Sequence, residues 1–211
     1  MGSTEYAEIA KLIDNSYRDY NFGFSNLVSI ICSDLNMNAS TLINKLNTGY
    51  PRNNIPLPSP GVGGPCLSKD PYIFANSVPN RNQFEKKILV NARTISKNII
   101  KKIIKIIKSD VNKFKIGKKI NFFILGMAFK GNPPTSDMRD SSSLEIMEQI
   151  NLLFKNSKIS IHDEYIEKED LKNFTFKEID KGLINTDVCI VMNNNENYKN
   201  IDIEKFLLKR N

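Results

Sequence analysis

The run INFFILG at residues 120–126 decides the fold class of this chain. It is a short apolar run closed by a glycine, and its length and flanks predict a buried β-strand. Further strand-like runs occur at residues 158–161 and 187–192. A helix is predicted at residues 142–154, between the first strand and the second. Because strands and helices alternate here, the pattern favours a parallel, Rossmann-like α/β sheet.

The chain upstream of this run predicts helices instead. Apolar residues recur at helical spacing from Ala7 to Tyr17, and a second apolar-rich helix is predicted from about Phe24 to Leu35. Asn38 or Ser40 is expected to cap a short helix that ends near Leu46. A long helix follows at residues 83–111, after a loop rich in glycine and proline at residues 48–64.

These predictions divide the chain into two domains. Residues 1–112 are expected to form an all-α domain that ends in the long connecting helix, and residues 113–211 a parallel α/β domain. The fold class is therefore α/β overall.

The charge pattern argues against a nucleic-acid partner, although the net charge of the 211 residues is +7. Five lysines within residues 97–108 alternate with isoleucines, which is the spacing of an amphipathic helix with a solvated face. No aromatic residue is interleaved with them, as base stacking would require. No apolar run is long enough to cross a membrane, so we expect a cytoplasmic protein without a membrane partner. Three cysteines without paired spacing and a single histidine predict no metal site.

Residues 60–70, with sequence PGVGGPCLSKD, are the strongest candidate for chemistry. Gly61, Gly63 and Gly64 would let backbone amides approach a ligand closely. Cys66 is expected at the start of a helix, where free amides and the helix dipole lower the pKa of a thiol and favour the thiolate. Asp70 would face the same direction one turn later, an arrangement typical of covalent catalysis. The alternative is a structural cysteine buried at a turn.

Two other stretches carry polar groups at useful spacing. Lys11 and Asn15 lie four residues apart on a predicted helix, so they share one face and would suit an oxyanion or a sugar hydroxyl. Lys130 and Arg139 lie in a loop that follows a predicted strand and leads into a helix, which favours an anionic ligand. An exposed lysine–asparagine pair and a solvated loop are the alternatives.

Taken in order, these motifs resemble the UDP-glucose/GDP-mannose dehydrogenase family from about Glu5 to Asn211. The glycine-loop cysteine motif and the motif Ala128-Phe129-Lys130, followed by Asp137-Met138-Arg139, are the specific ones. Tyr50-Pro51-Arg52 and Asp70-Pro71-Tyr72 are similar to the branch that oxidises UDP-N-acetylhexosamines.

The resemblance implies a function and a set of roles. Family members oxidise the primary alcohol of a UDP-sugar to the carboxylate for polysaccharide precursor synthesis, using NAD, and work as homodimers. A cysteine thiolate holds the aldehyde as a thiohemiacetal and then a thioester, which water hydrolyses. By position, the resemblance implies catalytic roles for Cys66, Lys11, Asn15 and Asp70, substrate binding by Arg52, Gly61, Gly63, Gly64, Phe129 and Lys130, and cofactor contact by Arg139.

The sequence also departs from the family pattern. The GxGxxG fingerprint of the family's NAD-binding domain does not occur in these 211 residues. Residues 193–195, all asparagine, replace a loop that more usually contains threonine and histidine. Two hypotheses therefore stay open: part of an NAD-dependent UDP-sugar 6-dehydrogenase that is inactive without the missing domain, or a non-catalytic, dimerising UDP-sugar binder.

Overall fold

A computed structural model of the chain describes residues 4–79, 82–114, 116–117 and 119–202. The chain forms two compact units, Met1–Lys102 and Ile103–Asn211, which divide within a long helix. Each unit is described by itself.

The helices of the first unit follow the predicted order. They are α1 (Thr4–Asp34), α2 (Ala39–Asn47), α3 (Asp70–Ser77) and α4 (Gln83–Lys113), the last of which continues into the second unit. The cap predicted for α2 is confirmed, because the side chain of Asn38 accepts the N–H of Thr41 at 2.9 Å. Residues 50–69 form turns and irregular structure, as their glycines and prolines predict.

The predicted division into separate helices before Leu35 is wrong, since α1 runs without a break through Gly23. The physical reason lies in packing against α4. A Cβ atom at Gly23 would lie 2.8 Å from the Cβ of Ala92, closer than real contacts allow. The glycine therefore lets two helices approach each other and does not end one.

In α1 the polar face is buried and the apolar face is exposed, which is the reverse of an ordinary surface helix. Its buried side consists mainly of small and polar residues, among them Asn15, Asp19 and Asn26. Large apolar residues occupy the exposed side, which we call the α1 stripe: Tyr6, Ile9, Ile13, Tyr17, Tyr20, Phe24, Leu27 and Ile31. They recur every three or four residues, so they lie along one line of the helix.

The amphipathic pattern predicted for α4 is confirmed. Lys97, Lys101, Lys105 and Lys108 are exposed, and Lys102 is half-buried. The isoleucines between them include four that are buried: Ile99, Ile100, Ile104 and Ile107. The lysines therefore form a solvated face of this helix, as the spacing indicated.

The second unit contains the predicted parallel sheet. Its elements are β1 (Asn121–Leu125), α5 (Ser142–Leu153), β2 (Lys158–His162), α6 (Ile179–Ile184), β3 (Val188–Val191) and α7 (Glu196–Lys199). The strand order is β2-β1-β3 and both pairings are parallel. Residues 122–125 of the central strand are at most 1% exposed, because neighbours cover both faces and both edges.

The register brings the carboxyl ends of the strands level. Leu125 at the end of β1 pairs with His162 at the end of β2 and with Val191 at the end of β3. The loops that follow the three strands therefore start at one edge of the sheet, where ligands of parallel sheets bind.

Two further observations concern exposure. The apolar neighbours Val188 and Ile190 predict that Cys189 is buried in its strand, and that prediction is wrong: it occupies an exposed position of β3. Exposure alternates along β3 between half-buried and exposed residues, so one of its faces is open to solvent among the described residues.

Within the described part of the chain, no helix combines the length and the apolar character that a membrane crossing requires.

Candidate functional site

Asn15 and Asp70 meet inside the first unit although 55 residues separate them. The amide nitrogen Nδ2 of Asn15 donates to Oδ2 of Asp70 at 2.7 Å, and both residues are buried, with exposures of 6% and 2%. This buried hydrogen bond thus brings the α1 stretch that contains Asn15 together with the cysteine motif. A charged acceptor makes this kind of bond stronger than a neutral one.

Cys66 lies in the turns that precede α3 and not at the helix start that the sequence predicted, because α3 begins at Asp70. The backbone N–H of Asp70 donates to the carbonyl oxygen of Cys66 at 2.9 Å. This bond spans four residues, so Asp70 follows Cys66 by one helical turn of backbone. The cysteine is half-buried and the carboxylate is buried.

The glycine loop that leads to Cys66 contains two residues with positive φ. Gly61 has φ +118° and Gly64 has φ +94°, conformations that residues with a Cβ rarely adopt. The loop is also fastened to both long helices of the unit. Asn26 of α1 accepts the N–H of Ser59 at 3.0 Å, and Arg93 of α4 donates to the carbonyl oxygen of Val62 at 3.1 Å.

Arg93 is held by a buried ion pair that sequence reasoning missed. Its Nε donates to Asp19 Oδ2 at 2.8 Å, and its Nη2 contacts Oδ1 of the same carboxylate and Ser96 Oγ. Burial lowers the pKa of Arg93 to about 10 by desolvation. The only sign of this ion pair in the sequence was an aspartate, Asp19, among the apolar residues of α1. Its position does not show which residue it pairs with.

Lys11 and Arg52 are exposed in the first unit. Lys11 shares α1 with Asn15, but it lies at a solvent-exposed position whereas Asn15 is buried. Arg52 follows Pro51 in a turn. Side-chain bonds from Asn47 and Asn53 to backbone groups hold the chain on either side of it.

In the second unit, Asp163 organises the loop that follows β1. Its Oδ2 accepts the N–H groups of Met127 at 2.7 Å and of Ala128 at 3.0 Å, and its Oδ1 accepts the N–H of Tyr165. Gly126 makes this turn possible with φ +94°. Asp163 is the second residue that sequence reasoning missed, and its position directly after β2 was the signal that could have found it.

The three asparagines after β3 hold the same loop from the other side. Asn193 Nδ2 donates to the carbonyl oxygen of Ala128 at 3.3 Å, and Asn194 Oδ1 accepts the N–H of Gly131 at 3.1 Å. A Cβ at Gly131 would lie 2.3 Å from the backbone nitrogen of Asn195, so only glycine fits this close approach. The loop of residues 126–131 is thus tied to the ends of both neighbouring strands.

The predicted substrate residues Phe129 and Lys130 are half-exposed on this loop. The Nζ atom of Lys130 lies 5.6 Å from the centroid of the Phe129 ring. Arg139, by contrast, is exposed and its guanidinium binds Asp137, with Nη2 at 2.7 Å from Oδ2. Hydrogen bonds from Arg139 lower the pKa of Asp137. Because Asp137 balances the charge of Arg139, Lys130 carries the positive charge that an anion would meet beside Phe129.

A cavity of about 500 Å³ lies beside β2 and contains none of the predicted site residues. Four carboxylates and one lysine line it: Asp163, Glu164, Glu178, Asp180 and Lys168, so the lining is negative on balance. A diphosphate would be repelled by this lining, so the loop with Lys130 is the better candidate for an anionic ligand.

The two units correspond to two known domains. Residues 5–98 match the central domain of the UDP-glucose/GDP-mannose dehydrogenase family, and residues 123–210 match its UDP binding domain. The two domains of one family occur in order and together cover most of the chain. The chain belongs to the UDP-glucose/GDP-mannose dehydrogenase family.

Curated relatives of the chain include UDP-N-acetyl-D-mannosamine dehydrogenases. The chain is 34% identical to the UDP-N-acetyl-D-mannosamine dehydrogenase of Campylobacter jejuni, over 97% of this chain and 49% of that protein. Identity to the enzyme of the same name from Escherichia coli K12 is 30%, over 93% of this chain and 47% of the relative. The chain spans about half the length of the curated relatives it matches.

Solved structures of two dehydrogenases superimpose on the chain. The UDP-D-ManNAc dehydrogenase of Pyrococcus horikoshii superimposes with a TM-score of 0.82 at 25% identity, over 97% of this chain and 46% of that structure. A UDP-N-acetyl-mannosamine dehydrogenase of Staphylococcus aureus gives a TM-score of 0.78 at 26% identity, over 97% and 45%.

Proposed function

We propose that this chain is the central and UDP-binding part of an NAD-dependent UDP-sugar 6-dehydrogenase that serves polysaccharide precursor synthesis. The observation that carries the proposal is the hydrogen bond between Asn15 and Asp70, which joins two motifs one turn from Cys66. UDP-N-acetylhexosamines are the proposed substrates, because the relatives named above are UDP-N-acetyl-D-mannosamine dehydrogenases.

In this function Cys66 acts as the nucleophile. Its sulfur adds to the C6 carbonyl carbon of an aldehyde intermediate, an S–C bond forms, and the carbonyl oxygen takes up the proton that the thiol gives up. Lys11 and Asn15 stabilise the negative charge that develops on that oxygen before it is protonated. The half-buried position of Cys66 leaves its sulfur partly accessible for this step.

Asp70 acts when the thioester is hydrolysed. A water molecule attacks the carbonyl carbon and Asp70 accepts one of its protons. The C–S bond then breaks, which returns the thiolate of Cys66 and releases the carboxylic acid, whose proton passes to solvent. The bond from Asn15 orients the Asp70 carboxylate for this role. Asp70 and Cys66 are one turn apart, a separation that suits a base acting on the water that attacks the thioester carbon.

The described residues do not fit a dinucleotide. The turn after β1 has one glycine, and its Met127 and Ala128 N–H groups already bind the Asp163 carboxylate. The Rossmann fingerprint holds the pyrophosphate of a dinucleotide on such N–H groups, whereas a diphosphate bound at this loop would depend on side-chain charge. NAD would supply the hydride acceptor for the two oxidations, and we assign its binding to residues beyond this chain. Arg139 stays our proposal for the group that faces it.

We assign the UDP moiety to the loop after β1. Lys130 supplies positive charge for the diphosphate, and the exposed part of the Phe129 ring offers an apolar contact. For the first unit, substrate binding by Arg52 and by the glycines Gly61, Gly63 and Gly64 stays our proposal. The loop at residues 126–131 is rigid enough for this task because Asp163, Asn193 and Asn194 hold it.

We further propose that residues 1–112 form the all-α dimerisation domain and residues 113–211 a Rossmann-like UDP-binding domain. The α1 stripe supports a homodimer. Its apolar side chains are exposed over most of a helix of 31 residues, and exposed apolar surfaces of this length mark association sites. From Ile13 to Ile31 they alternate at four- and three-residue steps, the spacing of a helix that pairs with a like helix. A cytoplasmic location completes the proposal.

The test compares this chain with a longer protein that also carries the family's NAD-binding domain. The longer protein should form NADH with UDP-N-acetylhexosamines, and this chain alone should bind UDP but form no NADH. The absence of NADH from a folded longer protein with any UDP-sugar would instead support the second hypothesis, a dimerising UDP-sugar binder without catalysis. NADH formation by the chain alone would contradict the placement of the NAD site.

A further inference from the structure

We infer that Arg93 is a positioning residue for the glycine loop and, through it, for Cys66. This inference rests on the proposed function, because it concerns how the proposed nucleophile is held. Arg93 lies on α4, far from the cysteine motif in sequence, yet its Nη1 donates to the carbonyl oxygen of Val62 at 3.1 Å. Val62 is the residue between Gly61 and Gly63 and precedes Cys66 by four positions.

The geometry explains why an arginine is needed here. One edge of the guanidinium, Nε and Nη2, is occupied by both oxygens of Asp19 on α1. The remaining nitrogen, Nη1, points to Val62. A planar group with five N–H donors can serve a carboxylate and a carbonyl at once, whereas a lysine ammonium acts as a single point charge. Arg93 thus connects α1, α4 and the loop.

The loop needs such a fastening because its own residues give it little stiffness. Gly61 and Gly64 adopt positive φ, and glycine backbones have more freedom to lose than any other. The backbone bond at Val62 lies between these two glycines. Burial strengthens the hydrogen bond from Arg93 to Val62, because Arg93 is 6% exposed and Asp19 is fully buried. Water competes poorly at such a site.

Asn26 of α1 fixes the start of the same segment. Its Oδ1 accepts the N–H of Ser59, and Ser59 Oγ donates to the carbonyl oxygen of Gly61 at 2.9 Å. The segment from Ser59 to Asp70 is therefore held at its beginning by Asn26, in the middle by Arg93 and at its end by Asn15. Of these three contacts, the one at Arg93 is closest in sequence to the two positive-φ glycines.

The experiment is hydrogen exchange on the whole chain, read at the backbone amides of residues 59–67. Removing Arg93 alone would leave Asp19 as a buried, unpaired charge, which destabilises a fold strongly. The first variant is therefore the double substitution Asp19→Leu with Arg93→Met, which replaces the ion pair by apolar side chains of similar size. The second is Arg93→Lys, which keeps a cation beside Asp19. Lys101→Met, at an exposed position of α4, is the matched control.

We expect the loop amides to exchange about tenfold faster in both Arg93 variants, because a hydrogen bond from a charged donor is lost. The amides of α2 should keep their protection, and the alkylation rate of Cys66 should change while the thermal midpoint of unfolding stays near that of the control. Loop exchange equal to the control in either folded variant would overturn the inference. If the double variant does not fold, the result for Arg93→Lys alone tests the inference.

These readouts use no substrate, so they are independent of the proposed function. A chain that binds no UDP, and whose Cys66 is unreactive, would count against the dehydrogenase proposal. The exchange of the loop in the Arg93 variants would still show whether this residue holds the segment.

Discussion

The side chain of Asn15 donates to that of Asp70 at 2.7 Å inside the first unit, and both residues are nearly inaccessible to solvent. The contact links the first helix of the chain to the start of α3, and it places a carboxylate one turn after Cys66.

Replacing Asn15 should destabilise the first unit. In Asn15→Ala the buried Asp70 carboxylate loses its donor, and we expect the free energy of unfolding to fall by about 1–3 kcal/mol. Urea denaturation measures this change. The neighbouring exposed residue gives a matched control, Asp14→Ala, which should change the free energy by less than about 0.5 kcal/mol. Equal effects of the two substitutions would contradict a stabilising role for the bond.

Cys66 should be the most reactive of the three thiols towards iodoacetamide near neutral pH. Cys32 is 3% exposed, so reagent reaches it poorly. Cys189 occupies an exposed strand position, but desolvation raises the pKa of its thiol to about 11, so little thiolate forms near neutral pH. Peptide mapping of the labelled chain measures the three rates, with Cys66→Ser as control. Labelling of Cys189 at the rate of Cys66 would count against the nucleophile assignment.

Lys130→Ala should weaken the binding of UDP. Loss of a charged contact to the diphosphate should raise the Kd about tenfold or more, as measured by calorimetry. The control is Lys181→Ala, an exposed lysine of α6 whose removal changes the net charge equally. If both substitutions weaken binding to the same degree, the effect is one of general charge and not of the loop after β1.

Charges placed in the α1 stripe should separate the proposed dimer. Tyr20 and Phe24 are about half-exposed at its middle, so Tyr20→Glu with Phe24→Glu should leave the helix intact and give a monomer by light scattering. Ile184→Glu introduces a charge at a comparably exposed apolar position of the second unit and should not change the mass. A wild-type chain that is already monomeric at micromolar concentration would rule out this interface.

His162 should titrate below the usual range of histidine. Desolvation lowers its pKa, although Glu178, Asp163 and Glu164 act in the opposite direction. It is the only histidine of the chain, so its imidazole signals in an NMR pH titration are unambiguous. As the pH falls through about 6.5, unfolded chains bind a proton before folded ones, so the free energy of unfolding should decrease.

The variant His162→Gln should lose this part of the pH dependence, while a conservative change at the exposed Lys181 should keep it. A titration midpoint at or above about 6.5 would show that the neighbouring carboxylates outweigh desolvation.

The sequence alone determined the kinds of element and their order. Apolar spacing predicted α4 and the three parallel strands because secondary structure of this length follows from local periodicity. The cap at Asn38 was predicted for the same reason, since a cap involves residues only three apart. The motifs around Cys66 and Lys130 were sufficient to recognise the family, because motif residues keep fixed spacing along the chain.

Tertiary structure alone decided which distant groups meet. Nothing in the spacing of Asp19 indicates Arg93 as its partner. Asp163 was overlooked because the donors it binds are backbone N–H groups, which the sequence does not distinguish. Burial was decided in the same way. The spacing on α1 predicted a helix, but packing at Gly23 turned its polar side inward and its apolar side outward. Which face of a helix is covered depends on what packs against it, and that is a property of the folded chain.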